Sequence, residues 1–72
     1  MKRDVALLNV IGKNVKYHRD ISKISQERLA QLSNCHRNYI ARVESAQVDL
    51  SVSGLVQIAK GLKVDVCELL KK

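Results

Sequence analysis

Apolar residues in this chain recur three and four positions apart, in short blocks separated by polar residues. Leu8, Ile11 and Val15 form one block and Leu29 and Leu32 a second; Ile40 and Val43 form a third, and Leu55, Ile58, Ala59 and Leu62 a fourth. That spacing gathers side chains on one face of an α-helix, whereas on a strand it would divide them between two faces. The chain holds no proline and only two aromatic residues, both tyrosine, and β-branched residues appear mostly as scattered valines. Helix is favoured over sheet on each count. With 72 residues the expectation is one domain over residues 1–72, all-α, built from short helices around a shared core. A domain of this size buries only about 60% of the surface its unfolded chain exposes, so its stability is expected to be marginal.

The residues between the blocks mark where the helices begin and end. The stretch VALLNVIGKNVKYHR reads as a first helix, with Gly12 small enough to allow close packing, and DISK (20–23) breaks it. Ser25 is suited to cap a second helix, and Glu27 places negative charge in its first turn, where the helix dipole favours it. This helix is short, about eight residues, and ends near Ser33 and Asn34; asparagine tolerates left-handed backbone, so Asn34 can stop the helix and turn the chain. A third helix runs from about His36 to Ala46, its inner stripe of Ile40 and Val43 extended by Cys35 or Tyr39. Two helices joined by a tight turn make a helix-turn-helix. After a loop, QVDLS, Ser51 can cap a fourth helix with Gly61 near its end, and Asp65 a last short one, VCELL, which carries Leu69 and Leu70.

Charge is unevenly spread. Residues 1–42 hold nine Lys/Arg against three Asp/Glu, 9 − 3 = +6, and residues 43–72 hold four of each, 4 − 4 = 0. The whole excess lies on the side of the helix-turn-helix, as suits a polyanionic partner. Solubility alone would also account for a modest charge. The start, MKRDVALLNVIG, lacks the uninterrupted apolar run and cleavage site of a secretory signal. No stretch approaches the roughly 20 apolar residues of a membrane span, so a cytoplasmic chain with reduced thiols and no membrane partner is expected.

NCHRNYIARVE (34–44) sets a cysteine beside a histidine, a pairing that raises metal binding and nucleophilic catalysis. Neither is supported. Zinc ligands come in pairs at set spacings, while His18 and Cys67 are scattered and there is no CxxC. A cysteine nucleophile needs a base and an orienting group, and no third group accompanies Cys35 and His36. The expectation is no catalytic residue, no metal and no cofactor. Cys67, in an apolar helix, reads as core.

SQERLAQLSNCHRNYIARVE, with LVQIAKGLKVDVCELL downstream and IGKNVKYHR upstream, resembles the Cro/repressor-like (Xre-type) helix-turn-helix family over about residues 11–70. Within that family NCHRNYIARVE is most similar to the controller proteins of restriction–modification systems. The resemblance implies a compact five-helix bundle of the lambda-repressor-like DNA-binding type. Ala30 would lie where two helices cross closely, and Cys35 would fill the small apolar position after the turn. Arg19 and Glu44 would pair, tying the first helix to the end of the third. Two positions depart from the family's habit, Ala46 where glycine is frequent and Leu50 where proline is frequent. Both fall in the loop after the third helix.

By the same resemblance Arg37, Asn38 and Arg42 stand where members of the family read bases. Their chemistry agrees: arginine can bond guanine O6 and N7 together, and asparagine adenine N6 and N7. Gln26, at the start of the second helix, is a phosphate candidate, because its amide and the helix's free N–H groups can reach a phosphate. His36, Tyr39 and Gln47 are others, although Tyr39 could instead pack its ring at the edge of the core. The function implied is a transcriptional regulator that binds double-stranded DNA as a homodimer, with a two-fold related operator and the third helix in the major groove. Val64, Val66, Leu69 and Leu70 are candidates for the dimer contact. An antitoxin-like interaction module that also binds DNA is the alternative. No small-molecule effector is expected in so short a chain.

Overall fold

A computed structural model describes residues 4–72; Lys2 and Arg3, part of the basic start, lie outside them. Five helices follow in order: α1 (Val5–Ile21), α2 (Gln26–Leu32), α3 (Arg37–Glu44), α4 (Val52–Leu62) and α5 (Val66–Leu70). Among the described residues there is no strand.

Each start has a local cause. Asp4, Ser25 and Ser51 accept hydrogen bonds from the backbone N–H groups of Leu7, Arg28 and Gly54, satisfying donors that a helix leaves unpaired in its first turn. His36 does the same for α3 through its ring, with Nδ1 accepting from Asn38 N at 3.1 Å. Asp65 takes the cap position of α5 but makes no side-chain cap bond.

The first four helices end alike. Lys23, Asn34, Ala46 and Lys63 all have φ between 57° and 61°. In each case the next residue's N–H reaches back five positions: Ile24 to Arg19, Cys35 to Ala30, Gln47 to Arg42 and Val64 to Ala59, at 2.8–3.2 Å. This is the hydrogen-bonded close that glycine usually provides. Here no glycine has positive φ, and all three glycines lie inside helices. Gly12 shows what one of them does. A Cβ there would lie 2.5 Å from the Val43 carbonyl oxygen and 2.8 Å from that of Glu44, so its bare Cα lets α1 cross directly over the last turn of α3.

The core joins all five helices. It holds Ile11 and Val15 of α1, Leu29 and Ala30 of α2, Ile40 and Val43 of α3, Leu55, Ile58, Ala59 and Leu62 of α4, and Leu69 of α5. Cys35, Tyr39, Val48, Leu50, Val64 and Val66 pack against it half-buried, so Leu50 anchors the loop after α3 without a proline.

Several sequence expectations need correction. Helix α1 runs on through Asp20 to Ile21, and α3 stops at Glu44, short of Ala46. Leu32 is 42% exposed. Leu29, Ala30 and Ser33 fill the inner face of α2, and at 3.6 residues per turn Leu32 lies about 110° from the centre of that face. Cys67 is exposed rather than core, two residues and so about 200° of helix turn away from the inward Leu69. Leu69 in turn is fully buried, which removes it from any dimer surface.

Candidate nucleic-acid interface

Helix α3 presents two distinct sides. Ile40 and Val43 are buried, while Arg37, Asn38 and Arg42 are exposed. At about 100° per residue, Asn38 and Arg42 point away from the buried pair, and Arg37 stands at the edge facing α2. All three predicted base readers are therefore brought to one open face of one helix.

What fixes that helix is a chain of polar contacts. Arg19 Nε donates to Glu44 Oε2 at 2.7 Å and Arg19 Nη2 to Glu44 Oε1 at 3.2 Å. Its third nitrogen, Nη1, donates to the Ile24 carbonyl at 2.9 Å. The two side chains are only 14% and 6% exposed, so each charge depends on the other for its solvation. Donating to Glu44 holds the Arg19 guanidinium's pKa above its ordinary value despite the opposing effect of burial. The pairing of Arg19 with Glu44 is as expected, and it joins the C-terminal halves of α1 and α3.

Gln26 extends this chain. Its Nε2 donates to Glu44 Oε1 at 3.1 Å, and its Oε1 accepts from Arg37 Nη1 at 3.4 Å. A carboxylate acceptor on one side and a guanidinium donor on the other fix which end of the amide faces which. The side chain read from sequence as a phosphate contact thus bridges α2 to both ends of α3 in the free protein. Beside it, Arg19, Arg28 and Arg37 line an open depression at the start of α2. In the sequence Arg28 is marked only by its place three residues after the Ser25 cap.

The other predicted contacts fall on the loop side. His36 is exposed and caps α3 with Nδ1; in the neutral ring that bond leaves Nε2–H as an outward donor. Tyr39 packs its ring at the edge of the core, with its hydroxyl so close to Gly54 that a Cβ there would lie 2.6 Å away. Burial, and secondarily Cys35, raises the pKa of this phenol. Gln47 is exposed in the turn after α3, its backbone N–H bonded to the Arg42 carbonyl. Ala30 is buried and Asn34 takes the left-handed turn, both as expected.

Cys35 and His36 diverge: the thiol packs against the core, where burial raises its pKa, and the imidazole faces out. Among the described residues no three His, Cys, Asp or Glu side chains are placed to hold a metal ion. No described helix is long and apolar enough to cross a membrane.

Residues 15–69 match the family model described as helix-turn-helix. The chain belongs to the helix-turn-helix family. As a member it is a DNA-binding transcriptional regulator, with α2 and α3 as the motif. It is 38% identical over 63 residues to the control protein C.SmaI of Serratia marcescens, covering 88% of this chain and 75% of that one. The fold is similar to that of the restriction–modification controller protein C.AhdI from Aeromonas hydrophila, with a TM-score of 0.85, 33% identity and coverage of 89% of this chain and 97% of that one. The wild-type controller protein C.Esp1396I is similar too, with a TM-score of 0.82, 34% identity and coverage of 89% and 86%.

Proposed function

We propose that this chain is a controller-type regulator that reads a two-fold related operator as a homodimer, one α3 in the major groove of each half-site, within the cytoplasm. The observation that carries this is the two-sided α3, with Arg37, Asn38 and Arg42 exposed together on a helix whose other side is seated in the core. A helix of this width fits the major groove of B-DNA, where each base pair shows a distinct pattern of donors and acceptors. Arg37 and Arg42 supply the donors that suit guanine, and Asn38 the donor and acceptor that suit adenine. Gln26, His36, Tyr39 and Gln47 flank that face and fix the approach through phosphates; Gln26 keeps Arg37 aimed while doing so.

A single α3 offers few base contacts, so two-fold binding is the natural way to reach useful affinity. For the dimer contact we take the face where α1, α4 and α5 leave apolar side chains exposed. Val52 is 79% exposed there, and it shares a groove with Leu7, Leu50, Leu55 and Leu70. Aspartate at Val52 or Leu70 is expected to give a monomer in sedimentation.

The test is selection of bound duplexes from a random pool. Winners should share an inverted repeat whose half-site centres lie about one helical turn apart, roughly 10 base pairs, or a multiple of it. Recovery of no preferred sequence, with binding that only weakens as salt rises, would refute base reading and leave general attraction to phosphates.

A further inference from the structure

The open face of α3 is not polar throughout. Ala41 is half-buried at its edge, about 60° round the helix from Asn38 and about 100° from Arg42. Its side chain is a single methyl, so the surface stays low beside Asn38, in a concavity that Ala41 lines together with Asn38 and Arg42. The loop after α3 completes it. The left-handed Ala46 turns the chain back, and Val48 comes to line the same concavity as His36, Asn38, Tyr39, Ala41 and Arg42. Val48 is half-buried and packs against the core, which holds its methyl groups in place. Ser45 Oγ donates to the Ala41 carbonyl at 2.9 Å and lies 3.3 Å from that of Arg42, so the backbone at this point is also tied down.

Two apolar side chains set among hydrogen-bonding ones in a single concavity have one complement among the base edges of the major groove. Guanine, cytosine and adenine show only donors and acceptors there, and thymine adds a C5-methyl group. A polar edge placed on Ala41 and Val48 would lose water without gaining a partner, whereas a methyl group loses nothing. We propose that Ala41 and Val48 form a specificity element that takes the C5-methyl of one thymine in each half-site, next to the bases contacted by Asn38 and Arg42. This rests on the base-reading role proposed above for α3.

The test uses the selected operator and replaces each thymine in turn by deoxyuridine, which removes only the methyl group. Burial of one such carbon corresponds to about a fourfold change in affinity. One position per half-site should show that loss, about fifteenfold when both half-sites are changed, while other thymines are neutral. In Val48→Ala the penalty at that position should fall to about twofold or less. The readout is the ratio of affinities for the thymine and uracil duplexes, so a variant that is partly unfolded still reports correctly. A well-defined operator with no uracil-sensitive position overturns methyl reading alone. So does a full penalty retained in Val48→Ala. A pool that yields no operator removes the base-reading role and this element with it.

Discussion

Alanine at Gly12 is the sharpest test of the contact that sets α1 against α3. In a helix interior, glycine to alanine is intrinsically favourable by about 1 kcal/mol. Here the new Cβ would meet the Val43 carbonyl oxygen at 2.5 Å, the Glu44 carbonyl oxygen at 2.8 Å and the Glu44 carbonyl carbon at 3.1 Å. All three are backbone atoms of the last turn of α3 and cannot rotate aside, so α1 and α3 must separate. Overpacking of this kind costs about 1–3 kcal/mol, and a backbone obstacle belongs at the upper end. The net loss is then about 2 kcal/mol, out of a total of about 4–11 kcal/mol for a domain of this length. Melting should fall by about 8–16 °C. Gly54→Ala is the control. Its Cβ would meet the Tyr39 hydroxyl at 2.6 Å and the Ser51 hydroxyl at 3.3 Å, both ends of side chains that can shift, so stability should stay within about 1 kcal/mol of the parent. Urea denaturation of the three proteins, compared at unchanged m-value, gives the answer. A Gly12→Ala protein as stable as the parent would show that α1 and α3 do not depend on this close approach.

Three further outcomes are expected. Glu44→Ala strands Arg19 and should lower stability by about 2–3 kcal/mol in the same assay, somewhat below the range for a fully buried pair because Arg19 is partly exposed; replacing both residues by leucine should cost less than the single change, and unchanged melting in Glu44→Ala would refute the pairing. Ala46→Gly relieves a left-handed alanine and should raise stability by about 0.5–1 kcal/mol, with a fall in melting temperature as the contrary result. Towards a soluble disulfide reagent at neutral pH, the exposed Cys67 should react first and the half-buried Cys35, its pKa raised by burial, at least about tenfold more slowly; Cys67→Ser should remove the fast phase, and two equal fast phases would contradict the placement of Cys35.

Much of the site could be read before folding was considered. Local rules decide where helices start, so Ser25 and Ser51 were legible as caps, and Asn34 as the turn of the motif. The resemblance supplied the Arg19–Glu44 pair, which the structure holds, and the proposed readers on α3. What escaped depends on which side of a short helix is covered. In seven residues, α2 offers Leu29 and Leu32 equally to an inner face, and only its seat between α3 and α4 buries the first and exposes the second. In five residues, α5 makes Leu69 core and leaves Cys67 outside, a distinction that no periodicity can establish over so short a run. Gln26 was legible as a polar residue at a helix start; that its amide spans Glu44 and Arg37 follows from bringing both ends of α3 to the start of α2.

The sequence by itself determined that this chain is helical, where its helices begin, and which residues of the third carry hydrogen-bonding heads suited to bases. Those follow from spacing, capping chemistry and side-chain type, which act within a few residues of one another. The tertiary structure decided what required distant residues to meet. Carbonyls of α3 press on Gly12, burial commits Arg19 to Glu44, and the loop after α3 brings Val48 into the concavity that Ala41 lines. Left-handed turns fall to lysine, asparagine and alanine, while Gly12 sits where two helices touch. Close contact between backbones is a property of two segments together, and neither segment's sequence contains it.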